Sequence, residues 1–272
     1  MSSKFKVFKP MVSVITPTYN RRPFIPYLVK CFLAQDYPQD RLEWVIIDDG
    51  TDKIHDLLPK ADNIKYVALA DKLTLGAKRN LSHQYATGTI IVYMDDDDYY
   101  PPERVSHAVT RLMANPYALC AGSSALPIYF KDLNCIYMLG PYNKNHATAG
   151  TFAFKRTLLA DTAYQDDATF AEEKHFLKNY TVPFVQLDPL KTILVISHKL
   201  NTFDKHKCLT PNNPFVHKIP LNVSDFIKAP DMRDFYENRI HGLLKKYRPI
   251  DIDGQTQKAE NNQISDPGSL PL

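Results

Sequence analysis

Four adjacent carboxylates, Asp95-Asp-Asp-Asp98, follow directly on the apolar run Thr89-Ile-Ile-Val-Tyr-Met94. Like charges this close repel, and a divalent cation held by hard oxygen donors is the natural offset. Taken alone, the run also reads as a solvated acidic turn. A second acidic pair, Asp48-Asp49, ends the run Leu42-Glu-Trp-Val-Ile-Ile47 and leads into Gly50-Thr51. Its carboxylates suit a nucleobase or ribose hydroxyls, and Gly50 suits a tight turn; an ordinary Asp-Gly turn has the same sequence. The third feature is Gly76-Ala-Lys-Arg-Asn80 at the start of a predicted helix. A helix N-terminus carrying Lys78 and Arg79 suits a diphosphate, and a solvated basic face explains it equally well.

The elements that carry these residues alternate. Val12 to Thr16 reads as a buried strand ended by Pro17, and Pro23 to Ala34 as a helix with Pro23 in its first turn. Leu42 to Ile47, Ile64 to Leu69 and Thr89 to Met94 read as further strands. Thr74 to Tyr85 reads as a helix, with Gly88 near its C-cap. This predicts an α/β fold: a mostly parallel, doubly wound sheet with helices on both faces. Ligands of such sheets bind at the carboxyl ends of the strands, where all the polar clusters fall. Beyond residue 118 the pattern loosens. Leu119 to Ile128, Thr151 to Phe154 and Thr192 to Ser197 are strand-like, and Ala171 to Tyr180 is helix-like. The expected division is a catalytic domain over residues 1–204 and a C-terminal extension over 205–272. That extension holds an amphipathic helix near residues 231–247 and a polar tail without periodicity, expected to be disordered.

Length and composition bound the rest. The 272 residues, 44% hydrophobic, allow one sizeable core. A formal net charge of +3 gives no argument for a nucleic-acid partner. Nothing near the N-terminus reads as a signal peptide and no stretch reads as a membrane span, so a cytoplasmic location is expected. Cys31, Cys120, Cys135 and Cys208 form no Cys-x-x-Cys pair and are expected to be reduced. The C-terminal helix sets Phe235, Ile240, Leu243 and Leu244 beside several basic residues. Peripheral membrane contact is one use of that face, and packing on the core is the simpler one.

Val12-Ser-Val-Ile-Thr-Pro-Thr-Tyr-Asn20, Val45-Ile-Ile-Asp-Asp-Gly-Thr51, Gly76-Ala-Lys-Arg-Asn80 and Val92-Tyr-Met-Asp-Asp-Asp-Asp98 resemble, in order and interval, the motifs of family 2 glycosyltransferases of the GT-A fold. The resemblance is strong over about residues 11–110 and looser to about 204. It implies transfer of a sugar from a nucleoside-diphosphate donor, with UDP the expected nucleotide, to a hydroxyl of a glycan or glycoconjugate. It places Pro17, Tyr19, Asn20, Arg21, Asp48 and Asp49 at the nucleotide, with Lys78, Arg79, Asp95 and Asp96 near it. The Asp-x-Asp motif falls on Asp95 and Asp97. Asp97 becomes the expected direct ligand of Mn²⁺ or Mg²⁺, and His198 a candidate to complete the metal site.

Phe170-Ala-Glu-Glu-Lys-His-Phe176 resembles the family's Glu-Asp pair, with Glu173 in the base position; Glu172, Asp166 and Asp167 are rivals. With Glu173 as base the resemblance implies inversion at the anomeric carbon. Gly150-Thr-Phe-Ala-Phe-Lys155 resembles the stretch lining the acceptor and donor sugar. Trp44, Tyr99 and Tyr100 are candidates to stack on a sugar, although Trp44 inside a strand reads more simply as core.

Other classes fit less well. No Gly-x-Gly-x-x-Gly follows the first strand, which disfavours a nicotinamide enzyme, and no P-loop is present. An Asp-x-Asp-Gly-Thr phosphatase would need a carboxylate where Ile47 stands. A nucleotidyltransferase would need a glycine-rich loop where Pro17-Thr-Tyr-Asn20 stands. The remaining alternative is a non-catalytic nucleotide-sugar or carbohydrate-binding protein on the same fold, hinted at only by the Glu-Glu pair.

Overall fold

The computed structural model describes residues 9–168, 173–211 and 213–249. A seven-stranded sheet forms the centre: β1 (Val12–Thr18), β2 (Leu42–Asp48), β3 (Ile64–Ala68), β4 (Ile90–Tyr93), β5 (Cys120–Gly122), β8 (Ala153–Lys155) and β9 (Phe184–Gln186). Its order is β3-β2-β1-β4-β8-β5-β9. The first four strands are mutually parallel, so their carboxyl ends share one edge. β8 runs antiparallel to both β4 and β5. It therefore enters the sheet from that same edge, bringing the residues just before it to the acidic loops.

A second sheet of β6 (Leu126–Phe130), β7 (Cys135–Leu139), β10 (Val195–Ser197) and β11 (Val216–Ile219) has the order β10-β6-β7-β11. The sequence pattern does not predict it. The stretch 119–128, expected as one strand, divides between the two sheets at Ser123–Ala125.

α1 (Ile25–Leu33) packs Ile25, Leu28 and Phe32 inward. Phe32 stacks on Trp44 at 4.6 Å between ring centroids. Burial of each large side chain stabilises by about 1.5–3 kcal/mol. α1 starts later than expected: Pro26, not Pro23, occupies its first turn. α2 (Leu75–Tyr85) is capped by Thr74, whose hydroxyl accepts the Ala77 N–H at 3.3 Å. Ala86 rather than Gly88 is its C-cap. Gly88 is needed for a different reason: a Cβ there would lie 2.5 Å from the Ser13 nitrogen.

β1 also runs on through Pro17. The register with β4 ends at Ile15, while that with β2 reaches Thr18. Ile15 directs its carbonyl to Met94 on the β4 side. Pro17, two residues on, faces that side beyond the last pair, so its missing N–H removes no ladder bond.

α3 (Arg104–Ala114) follows the acidic run, and α4 (Glu173–Phe176) is a single turn. Lys178, Asn179 and Tyr180 all take positive φ, which ends α4 well short of the expected Ala171–Tyr180 helix. Residues 171 and 172 of that expectation lie outside the described residues. Residues 230–246 form a continuous helix with a π-helical segment at Phe235–Arg239. Met232, Phe235, Tyr236, Ile240 and Leu244 are buried in the main core, and Leu243 stays half exposed. The apolar side of the helix thus packs on the core, and β11 joins the second sheet through β7. The expected disordered tail lies outside the described residues.

Candidate active site

At the end of β2 the two aspartates turn inward. Asp48 is fully buried; its carboxylate accepts the N–H groups of Gly50 (2.9 Å) and Ile54 (3.1 Å) and the hydroxyl of Tyr66 (2.7 Å). Asp49 accepts the Leu73 N–H at 2.8 Å and pairs with the buried ammonium of Lys78, which also reaches the Thr18 carbonyl at 3.2 Å. Asn20 sits at φ 52°, a conformation Asn tolerates. Its side-chain oxygen accepts the Asp52 N–H at 3.0 Å, tying the loop after β1 to the loop after β2. Asp48, Asp49, Lys78 and Asn20 are therefore brought together, but chiefly to build these loops. Tyr19 stays half-buried, with the Lys72 ammonium 4.1 Å from its ring centre.

At the end of β4 the carboxylates are crowded differently. Asp98 is absorbed structurally: it accepts the Ile196 N–H at 2.9 Å, and its carbonyl accepts the Tyr236 hydroxyl at 3.1 Å. Arg21 lies across the run, with its Nε 3.7 Å from Asp96 and 3.4 Å from Asp97, and it also donates to the Leu200 carbonyl. Burial, only partly offset by Arg21, pushes the Asp96 carboxyl up to about 7. Burial also opposes ionisation of Asp97, yet His198 and then Arg21 hold it well below the usual range. Asp95 pairs with Arg79 at 3.4 Å, and the Arg79 guanidinium lies over the Tyr93 ring at 4.5 Å.

His198 meets Asp97, with Nε2 3.1 Å from Oδ2. The Leu200 N–H donates to His198 Nδ1 at 3.2 Å. Nδ1 is therefore the bare nitrogen and Nε2 carries the proton that Asp97 accepts. Burial holds the ring neutral near pH 7. To ligate a metal through Nε2, His198 would first have to lose that proton; as placed, it orients Asp97. Among the described residues no three His, Cys, Asp or Glu side chains cluster as a metal cage. The donor set still fits a cation of the Mg²⁺ kind, which takes one or two carboxylates and completes its shell with phosphate oxygens and water.

Gly150 brings the chain before β8 against the acidic run: a Cβ there would lie 2.7 Å from Asp95 Oδ2. The Tyr100 hydroxyl accepts the Asp95 N–H at 2.7 Å. Beneath them, fully buried Arg104 donates to the carbonyls of Tyr93 (3.1 Å), Thr151 (2.9 Å) and Phe152 (2.7 Å). Burial lowers its guanidinium to about 10. Sequence reasoning passed over Arg104, because an Arg opening an amphipathic helix gives no sign of facing inward. Trp44, Tyr99 and Tyr100 are all buried and do not present rings to a sugar. Trp44 instead donates to Thr16 Oγ1 at 2.9 Å, and Thr16 donates to the Met94 carbonyl at 2.7 Å.

Gly76 has a packing role within its motif. Its N–H donates to the Ala168 carbonyl at 3.0 Å, and a Cβ there would fall 1.9 Å from the Gln165 carbonyl oxygen. Asn80 adds bonds to the Tyr164 carbonyl (2.9 Å) and the Asp166 carboxylate (2.8 Å). The loop leading toward half-buried Glu173 is thereby fastened to α2. Asp166 is engaged in that fastening, and Asp167 is exposed. Glu172 lies outside the described residues.

Residues 13–134 match the family described as glycosyl transferase family 2. That match spans a little under half of the chain, and the α/β architecture is of the GT-A type. Among curated proteins it is 32% identical over 111 residues to a teichuronic acid biosynthesis glycosyltransferase, described as putative, of Bacillus subtilis; this covers 39% of the chain and 43% of that protein. It is also 32% identical over 101 residues to a poly(ribitol-phosphate) beta-N-acetylglucosaminyltransferase of Staphylococcus aureus, covering 35% and 18%. The chain thus spans less than half the length of these two relatives.

Among solved structures, that staphylococcal enzyme in complex with UDP-GlcNAc aligns with a TM-score of 0.58 at 20% identity, over 70% of this chain and 60% of the other. A Pyrobaculum calidifontis mannosyltransferase in complex with GDP-Man and Mn²⁺ aligns with a TM-score of 0.56 at 22% identity, over 72% and 59%. These likenesses carry the fold.

Proposed function

We propose that this protein is a metal-assisted, inverting glycosyltransferase that moves a sugar from a UDP-sugar to a hydroxyl of a glycan or glycoconjugate. The observation that carries the proposal is the rim of β1 and β4. There Asp95 and Asp97 stand two positions apart in sequence, each faced by a guanidinium, Arg79 and Arg21. The family 2 match over residues 13–134 and the UDP-GlcNAc and Mn²⁺ complexes of the fold neighbours support the same reading.

Asp97 and Asp95 are the residues that would hold Mn²⁺ or Mg²⁺, and when bound the cation neutralises charge on the departing diphosphate. His198 orients Asp97, and becomes a ligand itself only once Nε2 is bare. Arg79, fixed by its stack on Tyr93, supplies a second positive charge at the diphosphate. Pro17, Tyr19 and Asn20 form the wall beside the nucleotide, while Asp48, Asp49 and Lys78 hold that wall's shape. Asp96 and Arg21 complete the charge balance behind it. Glu173, at the first turn of α4, removes the acceptor hydroxyl's proton as the bond to the anomeric carbon forms. Attack opposite the leaving diphosphate inverts that centre.

The four free cysteines fit a reducing, cytoplasmic setting. Among the described residues no helix is long and apolar enough to cross a membrane.

A donor panel tests the reading. Binding and turnover of nucleotide sugars are measured with Mn²⁺, Mg²⁺ and EDTA, for wild type, Asp97→Ala and Glu173→Gln. The expected result is one donor turned over only with metal, lost in Asp97→Ala, and bound without transfer by Glu173→Gln. Failure of every donor to bind overturns the reading. Binding without turnover, with any acceptor supplied, favours a non-catalytic binding protein.

A further inference from the structure

The C-terminal helix meets the site at two separate places. At its end, the Tyr247 hydroxyl donates to Asp52 Oδ2 at 2.9 Å. The other oxygen of Asp52 accepts Arg22 Nε at 2.7 Å, and the Asp52 N–H donates to the Asn20 side chain at 3.0 Å. Tyr247 thus closes on the loops after β1 and β2, beside the wall assigned to the nucleotide. Earlier in the helix, buried Tyr236 donates its hydroxyl to the Asp98 carbonyl at 3.1 Å. The Asp98 carboxylate is held in turn by the Ile196 N–H of β10, two residues before His198. At 1.5 Å of rise per residue, the backbone positions of Tyr236 and Tyr247 stand roughly 16 Å apart along the helix.

Between these two places the helix is pressed onto α1. Phe235 stacks on Tyr27 at 3.6 Å between ring centres and meets Phe24 edge-on at 6.1 Å. Phe24 lies 4.8 Å from the His198 ring. The buried residues Met232, Tyr236, Ile240 and Leu244 recur every four positions. On a regular α-helix that spacing drifts about 40° round the axis at each step. The π-helical turn at Phe235–Arg239 holds more residues per turn and takes up the drift, so the helix keeps one side on the core from end to end. Such turns are rare and recur at functional sites.

We propose that Tyr236 and Tyr247 are positioning residues, through which the C-terminal helix fixes the separation between the nucleotide wall and the acidic run. The proposal rests on the transferase reading. A nucleoside diphosphate sets its base at one of these places and its phosphates at the other, so its fit depends on the span between them. Each phenol acts at one remove. Tyr247 works through Asp52 and Asn20, and Tyr236 works through the backbone of Asp98, the neighbour of Asp97. The C-terminal helix then frames the donor site rather than standing apart from it.

Equilibrium binding to the full chain tests this, with UDP followed by calorimetry and Mn²⁺ by electron paramagnetic resonance. Wild type is compared with Tyr247→Phe and Tyr236→Phe, which remove one hydroxyl each and keep the ring, and thermal unfolding is recorded beside binding. Tyr247→Phe is expected to weaken UDP about fivefold, in EDTA and with Mn²⁺ alike. Tyr236→Phe is expected to weaken Mn²⁺ at the UDP-loaded protein about fivefold, and UDP in EDTA by less than about twofold. In an Asp52→Ala background, Tyr247→Phe is expected to add no further loss of UDP affinity.

If UDP binds and both variants match wild type, the proposal is overturned while the transferase reading stands. The same holds if both variants lose UDP and Mn²⁺ in equal proportion as their unfolding temperatures fall, since the helix then only supports the fold. Should Tyr236→Phe not fold, the Asp52 background decides: a full, additive loss from Tyr247→Phe there overturns the proposal. If wild type binds no UDP, the reading beneath the proposal falls with it.

Discussion

Two acidic strand ends lie on the same edge of one sheet, and they are built in opposite ways. At the end of β2, Asp48 and Asp49 are buried, and together they accept three backbone N–H groups, a phenol and an ammonium. At the end of β4, four carboxylates are met by two guanidinium groups, one imidazole N–H, one backbone N–H and, at 3.5 Å, the Asn201 amide. The burial of Asp96 beside ionised Asp97 pushes its carboxyl up to about 7. The first pair is saturated and acts as scaffold. The second sets four carboxylates against two guanidinium groups, which suits the cation and diphosphate of the proposed function. Motif spacing alone does not separate these roles, because it records carboxylates but not the partners they find.

The comparison can be broken most severely at Asp97. Asp97→Asn is expected to lower transfer by on the order of 10²–10³-fold, with a loss of stability smaller than that of Asp48→Ala, because it gives up the charge that His198 and Arg21 favour while relieving repulsion on Asp96. Steady-state kinetics beside thermal unfolding checks this, and a large drop in stability would place Asp97 with the scaffold. Asp48→Ala should do the reverse. It strands the N–H groups of Gly50 and Ile54 and the Tyr66 hydroxyl, and is expected to cost about 3 kcal/mol in denaturant unfolding. If it lowers turnover with stability intact, the scaffold assignment is wrong.

Glu43, at the far end of β2 from Asp48, sharpens the contrast by pH. Burial works to raise its carboxyl, but Lys65, Ser13 and Thr87 together hold it down at about 2. A carboxyl lowered on folding contributes stability above its unfolded value of 4.5, and that contribution is lost as pH falls toward 2. Glu43→Gln is expected to remove on the order of 2 kcal/mol of stability at pH 7 and to flatten the stability profile between those limits. A wild-type profile already flat there would contradict the bond network.

The smallest expected effect is at Thr16, which links Trp44 to the Met94 carbonyl just before the acidic run. Thr16→Val leaves the indole N–H without its partner. It is expected to cost about 1–2 kcal/mol in unfolding, with a change of less than threefold in donor affinity.

The sequence by itself determined the first half of the molecule. Periodic apolar runs bounded by Pro, Gly and Asp fix the parallel strands β1 to β4, and parallel strands put the Asn20, Asp48 and Asp95–Asp98 loops on one edge. That geometry is local and repetitive, so it is written in short windows. Tertiary structure alone decided the rest. The antiparallel entry of β8 sets Gly150 against Asp95, and the second sheet carries β10 to the acidic run so that His198 reaches Asp97 from 101 positions further along the chain. The inward turn of Arg104, and the reach of Tyr247 to Asp52, join residues whose neighbours in sequence give no hint of one another. Contacts of that kind depend on which elements pack together, which no short window of sequence contains.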